Sequence, residues 1–186
     1  VTANIIPVTD NTVETRITTN KGELHLQEYW VKHRGLDPVE GIQYVGADKA
    51  RPNPEAINAI HDADMVILAP GNPLTSIGPM LQLKGIRKEL SKIKKKVIAV
   101  SPLIGEKSIS GPAAKYMQAA GIESNAYGLA KMYSDVCSNV IVDTKDKALV
   151  KKIQGLDMKA YETKITMKNK LAEEALANFI LKQVHV

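Results

Sequence analysis

The sequence is short of several residue types and patterns, and each shortage narrows what the chain can be. It carries one cysteine, Cys137, in 186 residues, so no disulfide can close within it. Aromatic residues are 4% of the chain, with a single tryptophan, which leaves little for the stacking platforms of nucleic-acid modules. No apolar run approaches the ~18 residues that a bilayer demands. A basic-plus-apolar leader and an initiator methionine are both missing, and the chain opens directly on a turn-rich "VTANIIPVTD". The phosphate-binding G-x-x-x-x-G-K-[ST] and the dinucleotide G-x-G-x-x-G are absent too, which ranks a nicotinamide dehydrogenase low. These shortages predict a cytoplasmic chain that engages neither membrane nor nucleic acid and is a fragment of a longer protein.

What is present is the composition of a globular unit, 44% hydrophobic and 24% charged, expected to form one α/β body over residues 1–186. Its net charge of +5 is concentrated: Lys84 to Lys96 holds seven basic residues and one acid. That stretch reads as a helix and its exit, where cations complement the carboxyl end of the helix dipole. A nucleic-acid surface is the rival use of the same residues, and would bind with strong salt dependence.

Residues 12–19 alternate β-branched and polar side chains, "NKG" supplies a turn, and 23–33 are expected to alternate again, giving an antiparallel hairpin within 1–35. Tyr29 and Trp30 would then face opposite ways, one packing on the sheet and the other lining a groove or an interface. His25 and His33 would stand about 26 Å apart at about 3.3 Å per residue, too far to share a metal with Glu28.

From Gly41 onward short apolar strands alternate with helices, beginning with "IQYVGA" and a helix capped by Asn53 with Pro54 at its first position. "DMVILAP" (64–70) has no polar alternation and reads as a strand buried on both faces. Strands at 96–101, 138–143 and 158–163 follow, with helices through Lys92, near 112–120, 126–133, 145–153 and 170–183. Such alternation implies right-handed crossovers and a mostly parallel, Rossmann-like sheet with helices on both faces over 41–186, preceded by the hairpin. Cys137 has no evident catalytic partner in sequence, the nearest histidines being His61 and His185, and reads as a buried structural thiol. Asp62 and Asp64 read as turn punctuation. Asp48 reads as a solvated loop acid, with a ribose contact as its alternative.

Two loops stand out. "APGNPLTSIGP" follows one strand and "SPLIGEKSISGP" the next; each begins at a proline, carries Ser-Ile, and opens a helix with Gly-Pro. Both leave the carboxyl edge of a parallel sheet, where open α/β folds bind ligands. Helix-start amides with Asn72, Thr75, Ser76, Ser108, Ser110 and Lys107 suit a phosphate or diphosphate; ordinary helix capping is the alternative. Gly71, Asn72, Pro73, Ser76 and Gly78 of the first loop, and Ser101, Lys107 and Gly111 of the second, are the ligand-binding candidates. No catalytic residue or metal ligand is assigned.

With these loops, "IIPVTDNTVETRI" and "HLQEYWV", the chain resembles the C-terminal portion of the 2-phospho-L-lactate transferase family of coenzyme F-420 biosynthesis. The resemblance implies transfer of a phospholactyl or phosphoenolpyruvyl group from a guanosine diphosphate ester to the deazaflavin Fo, with release of GMP. It also implies Mg2+, a homodimer with Trp30 at a candidate interface, and an N-terminal half bearing the metal ligands, to which nothing here corresponds. On this reading Lys107 offsets diphosphate charge, the glycines permit close backbone approach, and the fragment alone is inactive. A non-catalytic guanine-nucleotide-binding domain is the alternative. Whether lactate or enolpyruvate is carried stays open.

Overall fold

The computed structural model describes residues 3–183; His185 lies outside them. The chain begins with β1 (Glu14–Thr19) and β2 (Gly22–His25), paired antiparallel with Ile17 opposite Leu24. Thr15, Ile17 and Thr19 turn inward from β1, the two-residue period of a strand with one face in the core. The second arm ends at His25, eight residues sooner than the expected 23–33. A short wide-turned helix, Glu28–Lys32, replaces its remainder. Leu26, Tyr29 and Trp30 stand at i, i+3 and i+4, and that spacing brings all three to one side of a helical turn.

β3 (Gly41–Val45) corrects a second expectation. It does not open the parallel sheet but pairs antiparallel with β1, Ile17 opposite Ile42, so the hairpin becomes a three-stranded sheet of order β2-β1-β3. Pairing partners lie far apart in sequence, and the pattern within "IQYVGA" carries no label for which sheet it joins.

The parallel sheet is built from β4 (Val66–Leu68), β5 (Val97–Val100), β8 (Asn139–Asp143) and β9 (Lys159–Thr163), in the order β4-β5-β8-β9. Between β5 and β8 the chain makes a two-rung antiparallel ribbon, β6 (Leu103–Ile104) and β7 (Lys107–Ser108), inside the second loop. The helices are α1 (Pro54–Asp62), α2 (Ile77–Gln82), α3 (Ile86–Lys92), α4 (Ala113–Ala119), α5 (Ala126–Tyr133), α6 (Val150–Gln154) and α7 (Lys170–Leu181). Asn53, Asn125 and Asn169 cap α1, α5 and α7 by accepting backbone N–H bonds, as Asn53 was expected to do. The helix expected to run to Lys92 is broken into α2 and α3.

β5 and β8 are buried throughout, and alternate residues serve two cores. Val97, Ala99, Val140 and Val142 join a large cluster with Ile17, Tyr29, Leu81, Leu90, Leu129 and Ile153; Ile98, Val100 and Ile141 meet Ile165, Leu176 and Ile180 on the opposite face. The fold is therefore α/β with helices on both sides of a parallel sheet. β4 is the exception: Ile67 is 45% exposed, because β4 is the edge strand and not the doubly buried one expected of "DMVILAP".

Three of the seven basic residues between Lys84 and Lys96 are engaged with their surroundings. Arg87 Nε lies 2.6 Å from Asp135 Oδ2, Lys92 pairs with Glu89 at 2.7 Å, and Lys96 donates to the carbonyl of Ala63.

Candidate functional site

The two loops meet. Gly71, Asn72, Thr75 and Ser76 from the first, with Ser110, Gly111 and Pro112 from the second, line one cavity of about 350 Å³ at the carboxyl edge of β4 and β5. Leu26, Gln27 and Trp30 wall it from the hairpin side, and Tyr116 of α4 completes it. Trp30 is half-exposed and lines this groove, while Tyr29 is fully buried; this division of labour was expected, although a helical turn rather than a strand produces it.

The first loop is organised by Asn72. Its side-chain Oδ1 accepts the amides of Leu74 (3.0 Å) and Thr75 (3.2 Å), and its carbonyl accepts those of Ser76 (2.9 Å) and Ile77 (3.0 Å). Four consecutive amides, three ahead of α2 and the first of the helix itself, are thus claimed internally. α2 is only six residues long and α4 seven, so neither sums much of a dipole. The helix-start cradle for a diphosphate expected from sequence is, at the first loop, already filled by protein atoms.

Other candidates separate. Pro73 and Gly78 line a neighbouring cavity with Tyr44 and Tyr133. Gly78 permits a close backbone approach, but to protein: a Cβ there would collide with the Tyr44 hydroxyl and lie 2.9 Å from the carbonyl of Pro73. That hydroxyl donates to the carbonyl of Leu74, tying β3 to the first loop, and burial holds its pKa up at about 12. Ser101 is fully buried, its hydroxyl donating to the carbonyl of Leu103 (3.0 Å) and accepting that residue's amide (3.1 Å). Lys107 points elsewhere, into a cavity of about 450 Å³ that also holds Gly105, Ser108, Lys145 and Thr166.

The cavity between the loops therefore contains no charged side chain. Its polar groups are the amides of Gln27 and Asn72 and the hydroxyls of Thr75, Ser76 and Ser110; the Asn72 Nδ2 and the three hydroxyls make no hydrogen bond among the described residues. Tyr116 is 1% exposed, its hydroxyl has no partner among the described residues, and burial first, with Tyr29 second, pushes its pKa well up, so it stays a neutral donor. Sequence reasoning passed over Tyr116 and Leu26; the latter was legible in the i, i+3, i+4 spacing.

The Trp30 wall is held by Lys115, whose ammonium donates to the Tyr29 hydroxyl (2.7 Å) and to the carbonyls of Gly35 (2.7 Å) and Asp37 (2.6 Å). A cation saturated by three acceptors links α4 to the segment after the hairpin.

Cys137 is buried as expected, donating to the carbonyls of Asn139 (2.9 Å) and Val97 (3.3 Å), and burial pushes its thiol up to about 11. His33 Nδ1 lies 3.5 Å from Asp37. Among the described residues no group of three His, Cys, Asp or Glu side chains is placed to hold a metal ion. No helix among them is long and apolar enough to cross a membrane.

A family model described as 2-phospho-L-lactate transferase CofD matches residues 1–183. The 2-phospho-L-lactate transferase of Methanosarcina mazei is 41% identical over 146 residues, which are 78% of this chain and 48% of that protein. That of Methanothermobacter thermautotrophicus is 34% identical over 184 residues, 99% of this chain and 58% of the relative. The chain spans about half the length of the curated relatives it matches, and covers their C-terminal part. A crystal structure of a Bacillus halodurans protein superposes with a TM-score of 0.62 at 14% identity, over 95% of this chain and 61% of that one, a likeness of fold.

Proposed function

The chain belongs to the 2-phospho-L-lactate transferase family, and from that premise we propose that it is the C-terminal portion of a transferase that passes a phospholactyl or phosphoenolpyruvyl group from a guanosine diphosphate ester to the deazaflavin Fo. In that reaction a ribityl oxygen of Fo forms a bond to phosphorus while the bond from phosphorus to the GMP oxygen breaks. GMP leaves with that electron pair, and the ribityl proton passes to a general base.

The observation that carries this reading is the uncharged cavity where the two loops meet. Neutral amides and hydroxyls beside a tryptophan face match a ligand made of a planar ring and a polyol better than they match a diphosphate. We therefore assign Fo to this cavity, with Asn72, Thr75, Ser76 and Ser110 facing the ribityl chain and Trp30 the ring. The diphosphate is assigned to the cavity of Lys107 and Lys145 beside the β6–β7 ribbon, with its transferred phosphorus turned toward the ribityl chain. Magnesium ligands, and with them turnover, belong to the half of the family polypeptide that this chain does not span.

The family's homodimer is assigned to the face around exposed Val31 and Leu36, beside Trp30; a monomeric mass in solution would count against it.

Because Trp30 is the single tryptophan, its fluorescence reports on the cavity directly. Fo titrated into the chain is expected to quench it, and Trp30→Ala to weaken Fo binding, measured by calorimetry, by about 10- to 100-fold, in line with ~1–3 kcal/mol for stacking a base on an aromatic ring. GDP binding is expected to respond to Lys107→Ala and not to Trp30→Ala. GDP displacing Fo from the Trp30 cavity would reverse the assignment. Turnover by residues 1–186 alone with Fo, donor and magnesium would refute the division of labour between halves. A binding domain without chemistry would take up GDP yet leave the complete protein inactive.

A further inference from the structure

The two edges of the parallel sheet are finished differently. β9 carries Lys159 and Glu162 and runs into Lys164, charges of the kind that keep a free edge from recruiting another strand. β4 reads Val-Ile-Leu and continues into Ala69, with no charge along it. Among the described residues β4 pairs only with β5, so the backbone groups on its other side are unpaired.

Beside that bare edge is a groove of about 390 Å³ whose lining includes Ile6, Val8, Ile60, Ile67 and Met80, with Asn4 as its one polar residue. Ile5 stands 95% exposed nearby in sequence. An uncharged edge next to an apolar groove is what a sheet presents where another strand and its helix belong.

We propose that this edge and groove are the docking site for a β-strand, and the apolar face of its crossover, from the polypeptide that precedes the matched region in the family. Three observations select that occupant over a second copy of the chain. About half of each curated relative lies outside the match, and the chain covers their C-terminal part. The groove wall is itself made by residues 4–8, the part of the chain nearest that junction. They are fastened in place where Val8 accepts the Asn53 amide at 2.8 Å and Thr9 donates to the carbonyl of Arg51 at 2.6 Å. A strand entering from there and returning through a helix pairs parallel with β4 by the usual right-handed crossover.

The test compares residues 1–186 with the same chain joined to the preceding segment of the Methanosarcina mazei relative, by hydrogen exchange resolved to Val66–Leu68. The joined protein is expected to slow exchange of the outward β4 amides by at least ~100-fold, and Ile67→Lys, harmless in the short chain, to lower the melting temperature of the joined one. The segment added in trans is expected to protect the same amides. The proposal is overturned if β4 exchanges equally fast in both folded proteins, or if neither the joined nor the separate segment protects it. It is also overturned if the short chain alone protects β4 in a concentration-dependent way, since a second copy would then be the occupant.

Discussion

Both loops that frame the cavity carry Gly-Pro, at Gly78-Pro79 and at Gly111-Pro112, yet the first turns its polar atoms on itself while the second sends them to its neighbours. In the first, Asn72 gathers four amides, and Tyr44 reaches across from the antiparallel sheet to brace the loop. In the second, the chain folds into the β6–β7 ribbon, Ser108 accepts the amide of Ala114 at the start of α4, and Asp146 accepts the amide of Gly105 at 2.9 Å. Similar sequence punctuation thus serves one self-contained loop and one held from outside. A ligand at the seam meets a rigid wall on the first side and, on the second, a wall whose position depends on α4 and on the turn after β8.

The largest expected effect comes from the two glycines. Gly78 sits inside α2 with Tyr44 and the Pro73 carbonyl pressed against it, and Gly111 has open space around it but a φ of 65°. Gly78→Ala is expected to destabilise by about 2–3 kcal/mol, since the backbone of the braced loop has nowhere to move. Gly111→Ala is expected to lose about 1–2 kcal/mol from its left-handed conformation alone. Denaturant titration of the two variants ranks them. An equal loss would mean that the first loop yields as readily as the second.

Sequence reading went as far as local information allows. The strands at 97–100 and 139–143, and the helices begun by Asn53, Asn125 and Asn169, follow from apolar runs and caps contained in a few consecutive residues. That "GIQYV" joins the hairpin, and that "VIL" lies at an edge, depend on partners tens of residues away. The candidate site was half legible for the same reason: Gly71, Asn72, Ser76 and Gly111 do line one cavity, because both loops leave one end of adjacent strands. The direction of Lys107 was not legible, since the ribbon that turns it away pairs only two residues with two.

A middle-sized effect separates the loops by their caps. Asn72→Ala removes the acceptor for Leu74 and Thr75 and is expected to cost about 1–2 kcal/mol; Ser108→Ala removes one cap bond and is expected to cost about 1 kcal/mol or less. The sharper contrast is in binding. Asn72→Ala loosens the wall that touches ligand, so Fo affinity is expected to fall at least about ten-fold by calorimetry, an energy of ~1.4 kcal/mol. Ser108→Ala is expected to leave it within about two-fold, below ~0.5 kcal/mol. Comparable losses of affinity would erase the distinction between a self-contained and a supported loop.

The smallest effect probes the second loop's outside support through pH. Asp146 is 4% exposed; one carboxyl oxygen accepts from Gly105 and the other has no partner among the described residues. Burial pushes its pKa above the ordinary carboxylate value, with the nearby Asp143 charge adding to the rise and the Gly105 bond only partly opposing it. A carboxyl whose folded pKa is raised contributes fully below its unfolded pKa, and that contribution is lost as pH climbs through the folded one. Stability from this group should therefore decline upward from about pH 4, the unfolded carboxylate value, and level off once the folded form has ionised. Asp143 and the loop amide of Gly105 face the group and stay in the variant, so Asp146→Asn keeps the acceptor for Gly105 and removes only the titration. The exposed pairs that hold Glu89, Asp37 and Glu123 below the carboxylate range slope the other way, lost as pH falls. The difference between wild type and variant cancels them. Melting temperatures from pH 3.5 to 7 are expected to converge at the acid end and to favour the variant by no more than about 3 °C near neutrality. A flat difference across that range would mean that Asp146 titrates alike in the folded and unfolded chain, and that its burial puts no load on the second loop.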